Sequence, residues 1–108
     1  MPELCDLKCV PCQGGVPPLA AEEVDRLKVQ LDGWEVIDGH HLHKRLSFSD
    51  FAQALAYVNR VGALAEAEGH HPDLHLAWGA VGIELWTHKI DGLTESDFIL
   101  AAKIDRLS

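Results

Sequence analysis

Residues 66–75 read EAEGHHPDLH: a glutamate stands four residues before a pair of adjacent histidines, a proline follows at once, and a third histidine closes the stretch. Imidazole titrates near neutrality, so it can both give and take a proton, and two imidazoles in one cleft can divide the acid and base roles. Glu66 precedes His70 by one helical turn, the spacing at which a carboxylate can fix the tautomer of the ring. A histidine at a helix C-terminus also stabilises the helix dipole with no chemistry attached, so His70 has a structural reading beside the catalytic one. His71 and Pro72 add little to a helix. Further on, His88 ends a strand-like run in WTHKIDGLTESD, where reactive side chains on a rigid scaffold are commonly exposed. Asp97 falls early in the last helix and also suits a capping box with Thr94.

A metal held by His70, His71, His75 and His88 is the competing chemistry. Adjacent residues at a helix end diverge, and neither an HExxH motif nor a C-x-x-C pair with histidine partners is present, so acid/base work is the better fit. Cys5, Cys9 and Cys12 crowd into the first dozen residues as CDLKCVPC. An odd, clustered set does not read as a disulfide framework; reduced thiols are expected, with a metal held by these three as the alternative. Trp34 and Trp86 fit packing positions on short strands, whereas Trp78, at a strand end, can offer a flat apolar wall to a planar heterocycle.

These residues need elements to hold them. Residues 1–16, with Pro2, Pro11 and the Gly14-Gly15 pair, read as an extended Cys-containing arm, and residues 17–108 as the folded domain. Leu19, Val24, Leu27 and Leu31 predict a first helix that Gly33 ends. Asp38-Gly39 joins two alternating runs into a hairpin, with Leu42, Lys44, Leu46 and Phe48 on one face. On the other lie His41, His43, Arg45 and Ser47; His40 belongs to the turn, and the three histidines are expected to be separate, solvent-facing residues. Ser49 and Asp50 cap a long helix whose apolar stripe is Phe51, Leu55, Val58, Val61 and Ala65, ending at Gly69 because Pro72 disfavours helix at His71. A second hairpin turns around Gly79-Ala80, with Val81, Ile83, Leu85 and Thr87 on one face, and Thr94 opens a third helix striped by Phe98, Leu100, Ala101 and Ile104. The order α-β-β-α-β-β-α predicts an α+β domain, a four-stranded antiparallel sheet with helices packed on one face.

A chain of 108 residues, 47% hydrophobic and 24% charged, is one globular domain's worth. Its 17 acidic against 9 basic residues give a net charge of -8, which repels phosphate backbones and excludes nucleic acid as an expected partner. No apolar run reaches the roughly 20 residues of a membrane span, and PELCDLK after Met1 lacks the character of a signal peptide, so the cytoplasm is the expected location.

Glu66, His70-His71-Pro72, Trp78, His88 and Asp97 together resemble the signature of the pterin-4a-carbinolamine dehydratases, and THKIDGLTESD resembles that family's Thr-His-x-x-x-Gly-Leu-Thr/Ser-x-x-Asp segment. The resemblance runs from about residue 17 to the C-terminus. It implies the α-β-β-α-β-β-α fold, a homodimer or homotetramer, and a pterin substrate, with no metal or organic cofactor. It further implies His70, His71, His88 and Asp97 as catalytic residues: His70 and His88 exchange protons with the pterin, His71 polarises it, and Asp97 orients the histidine side of the pocket. Glu66, supporting His70, and Pro72 and Trp78, shaping the site, are the implied substrate-binding residues. The rival expectation is a non-catalytic dehydratase-like domain that binds a pterin or a protein partner, related to molybdenum-cofactor assembly or regulation.

Overall fold

Asp38 and Gly39 both take positive φ, 54° and 65°, and with His40 they form the three-residue loop between the paired Ile37 and His41, tightened by the His40 N–H to Ile37 O bond at 2.9 Å. That turn pairs strand β1 (Glu35–Ile37) with β2 (His41–Ser47). In the computed structural model, which describes residues 18–107, helix α1 (Ala21–Lys28) precedes this hairpin and helix α2 (Phe51–Glu68) follows it. Strands β3 (Asp73–Ala77) and β4 (Ala80–Leu85), a single 3₁₀ turn at His88–Ile90, and helix α3 (Glu95–Asp105) complete the order. The sheet runs β1-β2-β4-β3 with every neighbouring pair antiparallel. This is the predicted α+β fold. The arm with Cys5, Cys9 and Cys12 lies outside the described residues.

Alternation along the strands divides the sheet into two faces. Leu42, Val81, Ile83 and Leu85 are fully buried beneath the helices. Their neighbours His41, His43, Arg45, Gly82, Glu84 and Trp86 occupy the other face, where none is fully buried. Lys44, on the helix side, donates to Asp105 Oδ1 at 2.7 Å, and the same carboxylate accepts the Trp34 indole N–H at 2.8 Å and the Asp32 backbone N–H at 3.0 Å. One side chain at the end of α3 thus ties down the first hairpin.

Several boundaries differ from the sequence expectation. Helix α1 ends at Lys28 rather than near Gly33, and two short turns, Gln30 N–H to Leu27 O and Leu31 N–H to Lys28 O, carry the chain onward. The second hairpin turns on Trp78-Gly79, one residue early. A side chain at Gly79 would meet the Phe48 carbonyl oxygen at 3.1 Å, so the smallest residue sits where that backbone passes.

Helix α2 is capped as expected. Asp50 accepts the Gln53 N–H at 2.8 Å, and Gly69 ends the helix with a φ of 67°. Its buried stripe, however, is Ala54, Tyr57, Val61 and Ala65, while Phe51 and Leu55 stay 44% and 41% exposed. Val61 and Ala65 are buried as expected and Val58 packs partly buried against the core, but the helix is apolar on more than one side, and spacing alone put Phe51 and Leu55 in the stripe in place of Ala54 and Tyr57. Helix α3 is buried almost all round, from Ser96 to Ala102 and at Ile104, which makes it the central element of the core rather than a half-exposed stripe.

Candidate active site

The αL residue Gly69 decides where the two histidines go. An i, i+4 relation between Glu66 and His70 requires helix through residue 70, but the helix has already ended, and the His70 N–H reaches back to Ala65 O at 3.3 Å. His70 therefore leaves the helical phase and turns inward. Its Nε2 lies 2.5 Å from Asp97 Oδ1, and its side chain is only 12% exposed. Glu66 meets the exposed His71 instead, Oε1 to Nε2 at 3.3 Å. The expected Glu66–His70 pairing is replaced by Asp97–His70 and Glu66–His71. Nor is His70 a surface residue.

Asp97 is fully buried, and a buried carboxylate must be surrounded by donors. Its Oδ2 accepts the Thr87 hydroxyl at 2.9 Å and the Thr94 backbone N–H at 2.9 Å. Thr87 and Thr94 also meet through their hydroxyls at 2.9 Å; since Thr87 donates to Asp97, Thr94 donates to Thr87. With His70, three donors converge on one carboxylate, an arrangement suited to its acceptor-only form. His70 Nε2 then carries the hydrogen toward Asp97, which leaves Nδ1 as the nitrogen with the lone pair. The capping-box role of Asp97 and a histidine-orienting role coexist, because each uses a different oxygen.

Thr87 was legible as an inward-facing strand residue and as the first residue of the THKIDGLTESD segment, but not as a partner of Asp97. Its signal was its place next to His88, just ahead of a loop that the Thr87–Gly92 bridge closes. Pro18 packs on that loop, at 2.8 Å from where a Gly92 side chain would begin. His88 opens the 3₁₀ turn and is exposed, its ring stacked on Trp86 with centroids 4.3 Å apart and planes 15° from parallel. His88 is thus one residue away from the Thr87–Asp97–His70 chain, and Trp86 is the aromatic wall against it.

His71, Glu66 and Pro72 line a groove of about 440 Å³ against α2, floored by Gly62 and flanked by Val58. Trp78 lies elsewhere. It is 70% exposed in the β3–β4 turn, and the five residues of β3 put roughly 17 Å of strand between it and Pro72. It is not among the residues that line this groove. His75, across the open face, bonds Glu84 at 3.1 Å. Among the described residues no three His, Cys, Asp or Glu side chains are placed to hold a metal ion together, and no helix is long and apolar enough to cross a membrane.

The first hairpin's histidines also depart from expectation. His40 and His41 do not stand apart: their Nδ1 atoms are 3.1 Å from each other. The partners that gather them, Asp91, Glu84 and Trp86, are more than forty positions away in sequence, beyond the reach of strand alternation.

Comparison with known proteins identifies the family. The family model described as pterin 4 alpha carbinolamine dehydratase matches residues 17–107. A Rubrobacter xylanophilus protein is 60% identical over 99% of this chain and 100% of its own. One from Rickettsia bellii is 58% identical over 96% of this chain and 93% of its own; both are provisionally named pterin-4-alpha-carbinolamine dehydratases. The crystal structure of a transcriptional coactivator/pterin dehydratase from Brucella melitensis superposes with a TM-score of 0.78 at 31% identity, covering 83% of this chain and 97% of that one. A pterin dehydratase-like protein identified as a RuBisCO assembly factor in the alpha-carboxysome superposes with a TM-score of 0.60 at 28% identity, over 70% and 89% of the two chains. With the family model spanning nearly the whole described domain and relatives of such high identity, the chain belongs to the pterin 4 alpha carbinolamine dehydratase family.

Proposed function

We propose that this protein dehydrates 4a-hydroxytetrahydropterin to the quinonoid dihydropterin by histidine general acid/base catalysis, as a step of tetrahydropterin recycling. The observation that carries this is the Asp97–His70 contact, a buried carboxylate clamped by Thr87 and Thr94 and aimed at one ring nitrogen. In the reaction the C4a–O bond breaks, the hydroxyl takes a proton and leaves as water, and a ring nitrogen loses its proton. His70 takes that proton at Nδ1, because the imidazolium so formed lies against Asp97. His88 gives the other to the departing hydroxyl, from a ring held by its stack on Trp86. Glu66 holds His71 at the mouth of the groove, where it polarises the pterin. Proton transfer of this kind contributes about 10²- to 10⁴-fold.

The apolar flank of α2 left open by Phe51 and Leu55 supports a homo-oligomer, since contiguous exposed apolar surface on a small domain is ordinarily covered. A non-catalytic, partner-binding role is the second reading, supported by the likeness to the carboxysome assembly factor.

Generating 4a-hydroxytetrahydropterin with a separate hydroxylase and following its decay optically tests the two. Acceleration that falls by about 10²-fold or more in His70→Ala and in His88→Ala is the expected result. His88 is exposed, so its variant separates chemistry from folding. Full activity of the double variant would sink the acid/base assignment, and no acceleration by the folded wild type would favour the partner-binding role.

A further inference from the structure

His40 and His41 present a hydrogen-counting problem. Their Nδ1 atoms face each other at 3.1 Å, with the rings at 81°. The far nitrogen of each ring meets a carboxylate: His40 Nε2 lies 2.7 Å from Asp91 Oδ1, and His41 Nε2 lies 3.4 Å from Glu84 Oε2. Three gaps would take three hydrogens, yet two neutral imidazoles carry one N–H apiece. The 3.4 Å His41–Glu84 approach is an ion-pair contact rather than a hydrogen bond, so two hydrogens suffice when His41 donates from Nδ1 to His40. When both instead spend theirs on a carboxylate, two Nδ1 lone pairs point at one another. The gap then takes either a third proton or a metal ion.

We propose that His40 Nδ1 and His41 Nδ1 form a binding site for a divalent transition-metal ion, with Asp91 and Glu84 as its outer shell. An ion at roughly 2.0–2.1 Å from two nitrogens set 3.1 Å apart subtends about 100°. That lies between the cis angle of a square-planar site and the tetrahedral angle, so the spacing fits without movement. Metal-binding histidines characteristically donate their second N–H to a carboxylate, which fixes the tautomer and raises the basicity of the ligating nitrogen. Here His40 does so with Asp91, and His41 Nε2 has Glu84 Oε2 within ion-pair distance at 3.4 Å. The remaining positions fall to water, because the two side chains keep 34% and 19% exposure. Imidazole donors select copper, nickel and zinc over calcium and magnesium, and a chain of net charge -8 attracts cations of any kind. With two protein ligands the ion is exchangeable rather than structural. The site is separate from the His70–Asp97 pair, although Trp86 packs on its two histidines and on His88 alike; it is read by metal binding and does not rest on the dehydratase reading.

The probe is Cu(II), added to the full-length chain with Cys5, Cys9 and Cys12 replaced by Ser so that thiols do not compete. Trp86 reports directly, its ring lying 5.6 Å from His40 and 5.7 Å from His41. Saturable quenching at one equivalent per chain is expected, with a two-nitrogen hyperfine pattern in the electron paramagnetic resonance spectrum. The His40→Gln/His41→Gln double variant should lose that binding. Asp91→Asn, which keeps both ligands, should weaken it roughly 10- to 100-fold. Binding that is undiminished in the folded double variant, or no saturable binding by the parent chain, overturns the site and leaves a shared proton in the gap.

Discussion

Two histidines of this chain rest on aspartates, in opposite settings. His70 meets a carboxylate with no solvent exposure, held on its other oxygen by Thr87 and Thr94. His40 meets Asp91, whose side chain is 87% exposed. The contact distances, 2.5 Å and 2.7 Å, are close, but their worth is not. Where water is excluded, removing one partner strands the other uncompensated; at the surface, water replaces either at little cost. Burial and supporting donors, not the distance between two atoms, make the first pair a fixed part of the fold and leave the second open to exchange.

The largest effect is expected from Asp97→Ala, which removes the acceptor shared by three donors and should lower the unfolding free energy by about 3 kcal/mol or more in urea titration, at about 1–3 kcal/mol for each buried donor that loses it. A loss under about 1 kcal/mol would erase the contrast. Thr87→Val keeps the volume but deletes the hydroxyl that donates to Asp97 and accepts from Thr94. Its cost should be about 1–2 kcal/mol, and a neutral result would mean that the carboxylate does not depend on its clamp.

Tyr57 sharpens the comparison with a third case, a buried hydroxyl with no hydrogen-bond partner among the described residues. Tyr57→Phe should raise stability by up to about 1 kcal/mol, because an unsatisfied buried donor is removed while the ring's packing on Phe48 stays. Burial first, then the negative charge of Asp105, holds the Tyr57 phenol above its ordinary 10.0, with Arg60 pulling the other way. Folding therefore favours the neutral phenol, and the advantage, complete below about pH 10, is lost as pH rises through the higher folded value. Alkaline unfolding curves of wild type and Tyr57→Phe should diverge in that range, and parallel curves would contradict the assignment. The smallest change is expected from Asp91→Ala, under about 1 kcal/mol by thermal unfolding; a cost like that of Asp97→Ala would show that exposure does not separate the two pairs.

Local signals carried much of the architecture. Asp38-Gly39 fixed one hairpin because its turn needs two positive φ values, and Asp50 and Gly69 bounded α2 because both act within a few residues of themselves. The inward face of β4 followed from its alternation, since a strand's period is set by its own backbone. Where the pattern was not unique, as on the apolar flanks of α2, the local signal could not choose.

The sequence by itself determined the element order and the family, and it supplied the candidates for the chemistry. Only the tertiary structure decided how they pair. Asp97 reaches His70 across 27 positions and Asp91 reaches His40 across 51, so these contacts exist only once α3 and the His88 loop are docked against the sheet. A left-handed residue at Gly69 then breaks the helical phase and gives Glu66 to His71. Periodicity describes a segment whose backbone continues; the placement of a side chain beyond a helix end, and the carboxylate that meets it, is set by packing.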